Sequence, residues 1–127
     1  MEQSKWKEFE NPAHYRLVDM GRPAFFLIPV KKLKMKLDGE AWEKRLHKFL
    51  VLHFSAYTSA LVPSYGIWTD TGRKIVLDEC RQYTVSFLGK ERIPLLLGEL
   101  ASIATFTGEE CIYFEAGQYA CLIYPPH

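Results

Sequence analysis

A turn signal, Thr69-Asp70-Thr71-Gly72, lies between two stretches rich in β-branched and aromatic residues and commits the middle of the chain to a β-hairpin. Asp hydrogen-bonds its own downstream backbone, and Gly takes the left-handed conformation that closes such a turn. The outgoing side runs from Tyr57-Thr58 to Gly66-Ile67-Trp68 and contains Pro63. Proline cannot donate to a ladder, so this strand belongs at a sheet edge or carries a bulge. The return side, 74–87, ends in Tyr83-Thr84-Val85-Ser86-Phe87, whose alternation gives one apolar and one polar face. The alternation shifts phase near Asp78-Glu79-Cys80, which predicts a bulge there.

The other elements arrange themselves around this hairpin. Pro23-Ala24-Phe25-Phe26-Leu27-Ile28-Pro29-Val30 is apolar on both faces and reads as a central strand ending at Pro29. Lysines and apolar residues nearly alternate over 31–37, as in an extended piece, and Asp38 reads as the N-cap of the next helix. In that helix Trp42, Leu46, Phe49, Leu50 and His53 share one face. A second helix opens near Pro94, carries the stripe Ile93, Leu96, Leu97, Leu100, Ile103 and Ala104, and stops at Thr107-Gly108. A last hairpin spans 110–124 around Glu115-Ala116-Gly117. A three-residue loop there sets Cys111 opposite Cys121, and a two-residue loop sets Ile112 opposite Cys121.

Strand, helix, strand, strand, helix, strand is the ferredoxin-like succession. The fold expected is therefore α+β: a ferredoxin-like βαββαβ antiparallel sheet with two helices on one face and an extra C-terminal strand. Residues 1–22, with scattered aromatics and Pro12, read as a loosely docked N-terminal arm, and 23–127 as a single domain.

Composition narrows the function classes. A chain of 127 residues, 48% apolar, can bury a core without staples. A net charge of +1 argues against wholesale nucleic-acid or membrane attraction. Three cysteines, Cys80, Cys111 and Cys121, make neither a disulfide framework nor a metal-ligand spacing and sit among apolar neighbours as buried thiols. No metal and no cofactor is expected. Residues 1–10 are charged and lack a signal-peptide core, and no stretch reaches the ~20 apolar residues that span a bilayer. A soluble cytoplasmic protein follows as the expectation.

Two helices cover one face of such a sheet, yet the first strand and the last hairpin are apolar on both sides. The helix-free face then needs a cover: a second copy, a ligand cavity, or the N-terminal arm. The reading that follows is a homodimeric ligand- or partner-binding module using that face, with Tyr57, Trp68, Glu79, Arg81, Tyr83 and Glu110 as ligand-binding candidates. An enzyme reading pairs Glu79 or Glu110 with a tyrosine or His53 for acid–base work on a small molecule. Set against it, Asp70 is a turn residue, His53 packs on an apolar helix face, Glu110 is strand-edge charge, and Glu79 pairs with Arg81. The stretch 31–48 holds seven Lys/Arg against three acids, +4 in a chain of net +1. Lys32, Lys34 and Lys36 are its candidates for an anion or RNA, with a solvated lysine face as the plainer reading. No phosphate-binding glycine loop or hydrolase signature is present.

Gly66-Ile67-Trp68, the turn with Gly72, Tyr57-Thr58 before it and Glu79 ahead of Tyr83-Thr84-Val85 together resemble a family of small bacterial domains of unknown function. The resemblance covers residues 24–124. It implies a similar hairpin-centred domain and no particular reaction. Members of that family look exported and lipid-anchored, whereas residues 1–10 here read as no such leader.

Overall fold

In the computed structural model the chain forms β1 (Arg22–Pro29), α1 (Val30–Leu33), β2 (Lys36–Leu37), β3 (Glu40–Ala41), α2 (Trp42–His53), β4 (Ala56–Asp70), β5 (Arg73–Phe87), α3 (Arg92–Thr107), β6 (Ile112–Ala116) and β7 (Tyr119–Ile123). The structure describes residues 5–54, 56–70, 73–109, 111–117 and 119–126, of which 5, 64–70 and 73–78 are given as backbone alone. Five strands make one antiparallel sheet in the order β4-β5-β1-β6-β7. This fits a ferredoxin-like α+β fold, with β4 at one edge, as Pro63 requires, and β7 at the other.

Register decides which side each residue serves. Phe26 pairs with Tyr83 and Ala24 with Val85 on β5, and Phe26 pairs with Phe114 on β6. Ala24, Phe26, Ile28, Tyr83, Val85, Phe87, Ile112 and Phe114 therefore share one face. They form a single core with Trp42, Leu46 and Leu50 of α2 and Leu96, Leu100 and Ile103 of α3. Phe26 is fully buried and its ring stacks on Tyr83, 5.3 Å between centroids and 11° from parallel.

The opposite face differs from expectation. Leu27 and Cys80 are already buried there, at 8% and 0% exposure, and pack with Val62 and Tyr113. Gln82, Thr84 and Ser86 make its β5 portion polar. Among the described residues of the N-terminal arm, Trp6, Phe9, Tyr15, Leu17, Val18 and Met20 are all exposed and so do not serve as the cover. Within the arm, the Tyr15 hydroxyl donates to the Phe9 carbonyl, and the Trp6 and Phe9 rings lie 6.3 Å apart.

Segment 31–37 is not one extended piece. Val30–Leu33 winds into a short helix that buries Leu33, and Lys36–Leu37 pairs with Glu40–Ala41 in a two-residue hairpin. Asp38 is not the N-cap of α2. It sits at φ 53° beside Gly39 at φ 83°, the paired left-handed residues that a tight hairpin turn demands. The cap position is Ala41, with no side-chain cap, and the Trp42 N–H bonds the Met35 carbonyl at 2.9 Å.

The bulge lies at the expected level but in β4, where the register shifts between Pro63 and Gly66 opposite Leu77 and Glu79. In the last hairpin Phe114 faces Cys121 and Ala116 faces Tyr119, so the turn comes two residues later than the three-residue reading had it. Neither expected pairing of Cys121 occurs. Cys80 and Cys111 are buried thiols as expected, whereas Cys121 is exposed.

α3 ends as its sequence predicts, with Gly108 left-handed at φ 71°. The Lys32 ammonium donates to the Thr107 carbonyl at 2.8 Å, placing a positive charge on the helix C-terminus. Lys32→Met should lower stability by about 1–2 kcal/mol, read by urea denaturation. Lys34→Met, at an exposed position, should change it by less than about 0.5 kcal/mol. Equal effects of the two would contradict the capping role.

Candidate functional site

The chemistry gathers where α2 leans on the edge of the sheet. Glu43, Lys44 and His47 lie on consecutive turns of α2, flanking its buried stripe. Tyr57 and Ser59 of β4 pair with Val85 and Tyr83 of β5, which turns both toward α2. Together with Ala41 and Tyr83 these residues line an open cleft of about 360 Å³, within the range usual for small-molecule sites.

Inside the cleft the Tyr57 hydroxyl and His47 Nδ1 are hydrogen-bonded, the phenol donating when that nitrogen carries no proton. Their rings meet edge-on at 5.7 Å, and Tyr57 lies 6.1 Å from Tyr83. Tyr83 forms the floor. It is 2% exposed, and its hydroxyl makes no hydrogen bond among the described residues. Burial, reinforced by the Glu43 carboxylate, pushes its pKa well above the ordinary phenol range, so it stays a neutral donor. Arg81 holds the rim, with its Nε 3.6 Å from Glu43 Oε1 and its Nη1 donating to Ser59 Oγ at 3.2 Å.

The raised Tyr83 pKa has a testable sign. Its phenol is neutral in both states below the unfolded value of about 10, so its contribution to stability is constant there. Above that pH the unfolded phenol ionises first, and stability falls as pH rises toward the folded pKa. Denaturation between pH 9 and 11 should show the decline, and Tyr83→Phe should make it shallower. An unchanged slope in that variant would contradict the assignment.

The ligand-binding candidates separate. Tyr57, Arg81 and Tyr83 come together, but on the helix-bearing side of the sheet; their expected place on the helix-free face is corrected by the register. Glu79 faces Pro63, is exposed and lines no part of the cleft. Arg81 pairs with Glu43 and Ser59 rather than with Glu79. Trp68 pairs with Ile75 in the backbone register, its side chain lying outside the description, and Glu110 lies outside the described residues. His53 packs on Phe49, ring centroids 4.7 Å apart, and its carbonyl accepts from Arg92. Of the anion candidates, Lys32 caps α3, while Lys34 and Lys36 are exposed.

Glu43, Lys44 and His47 were missed from the sequence. The signal available was their place on α2, on the turns beside Leu46 and Leu50, where the edge of a core stripe meets solvent. A second, smaller cleft of about 290 Å³ lies at the far end of α2 between Leu52, Phe54, Leu88 and Arg92. Its arginine is held by the His53 carbonyl, and it offers no comparable set of donors and acceptors.

No model of a known protein family matches the chain, and no curated protein matches it. Among solved structures the chain is similar to a phage SAM lyase in complex with S-methyl-5'-thioadenosine. The identity is 14%, the match covers 87% of this chain and 95% of that one, and the TM-score is 0.50. At that identity the likeness shows the fold alone. No helix among the described residues is long and apolar enough to cross a membrane.

Proposed function

We propose that the chain binds a small organic molecule of nucleoside size, carrying an aromatic ring system, in the cleft between α2 and β4–β5. The observation that carries this reading is the meeting of Glu43, His47, Tyr57, Ser59 and Tyr83 around one open cavity. The Tyr57 ring supplies stacking surface, and the hydroxyls and carboxylate supply orientation. The ligand held by the structurally similar phage SAM lyase, S-methyl-5'-thioadenosine, is of this class.

Equilibrium dialysis against S-methyl-5'-thioadenosine tests the reading. Saturable binding of one molecule per chain is expected, weakened about tenfold or more by Tyr57→Ala, a loss of roughly 1.4 kcal/mol or more. An absence of saturable binding up to millimolar ligand would contradict it.

A second reading is favoured by the His47–Tyr57 hydrogen bond, since an imidazole coupled to a phenol is an arrangement used in general acid–base chemistry. On this reading the cleft turns its ligand over. Incubation with SAM should then release S-methyl-5'-thioadenosine, at a rate falling roughly a hundredfold in His47→Ala. A lack of release removes this reading and leaves the binding reading intact.

Self-association belongs to the proposal as well. Phe25, Val62 and Tyr113, half-buried on the helix-free face, supply the apolar strip on which two copies would pair. Sedimentation at micromolar concentration should give twice the 14.7 kDa chain mass, and a monomer would rule the pairing out.

A further inference from the structure

α2 and α3 lie side by side along a seam that printed contacts fix at both ends. Arg92, Glu99 and Phe106 recur at every seventh residue of α3 and so share one stripe. At one end of that stripe Arg92 donates to the His53 carbonyl, and at the other the Phe106 ring stacks on Trp42 at 6.0 Å. The two helices therefore run antiparallel. Glu99, midway between these contacts, faces the stretch of α2 between Arg45 and His53.

Arg45 belongs to the same seam, its guanidinium 5.2 Å over the Trp42 ring. Its Nε is the one buried side-chain nitrogen or oxygen without a hydrogen-bond partner among the described residues. Glu40 does not serve it: that carboxylate lies 4.0 Å from Nη1 and accepts from Lys48 at 2.6 Å. Glu99 is half-buried, and its carboxylate makes no hydrogen bond or ion pair among the described residues. The seam thus holds an unmet donor and an unmet acceptor, about one helical turn apart. Groups left in that condition cost stability until something joins them.

We propose that Glu99 and Arg45 form a proton-governed latch between α2 and α3. Ionised, the Glu99 carboxylate accepts from Arg45 Nε–H and ties the helices together; protonated, it releases them. The charged and titratable groups around it are Arg45 and His53 on α2 and Arg92 on its own stripe. Burial pushes the Glu99 pKa up, and Arg45 and His53 oppose that push. An ionised acid held there unpaired is costly, so ionisation itself drives the carboxylate toward Arg45. α2 also carries Glu43, Lys44 and His47 along the cleft wall, so the latch sets how that wall stands. It does so whatever the cleft binds.

A nuclear magnetic resonance titration of the full chain between about pH 4 and 8, following the Arg45 Nε–H signal, tests the latch. That signal should move downfield as the pH rises through the Glu99 ionisation, and the Glu43 and Lys44 amide signals should follow the same curve. With Glu99 ionised, the Nε–H should exchange with solvent about tenfold more slowly than in Glu99→Gln at the same pH, the effect of one charge-assisted hydrogen bond. The movements should be absent from Glu99→Gln and kept in His53→Gln. In the unaltered chain the midpoint should match that of the Glu99 carboxyl carbon signal, a comparison that needs no variant to fold. An Nε–H signal that ignores the Glu99 ionisation, or that titrates alike in the unaltered chain and in Glu99→Gln, would overturn the latch.

Discussion

Replacing Phe26 by alanine should cost about 3–5 kcal/mol of folding stability, a large part of the total a domain of this size possesses. Phe26 sits on the central strand β1, fully buried between the helices, and its ring supports Tyr83. The truncation removes a whole ring from a packed interior and opens a cavity that two helices and three strands cannot readily close. In a thermal melt the midpoint should drop by roughly 10–20 °C. Phe25→Ala, one residue away on the opposite face and only half-buried, should cost clearly less. Equal losses at the two positions would mean that the helices do not sit where the register puts them. The Phe26 variant should also weaken ligand binding where it still folds, since the floor of the cleft loses its backing.

The second large effect is expected at Gly21. Its backbone stands at φ 86°, and its N–H bonds the Asp19 carboxylate at 2.8 Å, turning the chain into β1. A Cβ built there would come within 1.9 Å of the Phe87 carbonyl oxygen. Gly21→Ala therefore meets two separate penalties: a left-handed backbone that costs a side chain about 1–2 kcal/mol, and a collision with backbone that only movement of β1 against β5 relieves. Urea denaturation should show a loss above about 2 kcal/mol, whereas Gly117→Ala should show the conformational penalty alone, about 1–2 kcal/mol. Gly117 has φ 63° and nothing within 4 Å of its would-be Cβ. If the two variants lost the same stability, the close approach of Gly21 to β5 would be contradicted.

Elements whose signal is periodic were legible in the sequence. The apolar spacing of α2 and α3, the Thr107-Gly108 stop, the hairpin around Asp70 and the edge placement implied by Pro63 all follow from local chemistry, and the α+β class they imply fits the observed antiparallel sheet. Segment 31–37 was misread because alternating lysines mimic a strand. Its structure is set by tertiary needs, with Leu33 entering the core and Lys32 reaching the end of α3, 75 residues away in sequence. The Asp38-Gly39 turn was legible, but the same Asp also suits a helix cap, and the cap reading overrode the stronger pair signal. The β6–β7 register depended on which side of Gly117 the turn closed, a choice that local composition leaves open.

The side of the sheet on which the site lies could have been derived. Tyr83 alternates in phase with Val85 and Phe87, the apolar set that must face the helices, so a ligand touching Tyr83 has to approach from the helix side. Tyr57, opposite Val85, follows by register. His47 could not be assigned in this way. Its pairing with Tyr57 depends on how far α2 leans over the edge strand, and no single-sequence pattern encodes that packing angle.

The decisive measurement is a nuclear magnetic resonance titration of the full chain with S-methyl-5'-thioadenosine, following side-chain signals on both faces of the sheet. Shifts confined to Glu43, His47, Tyr57, Ser59 and Tyr83 are the predicted result. Shifts confined instead to Leu27, Cys80, Gln82, Thr84 and Tyr113 would place the ligand on the helix-free face and contradict the site described above.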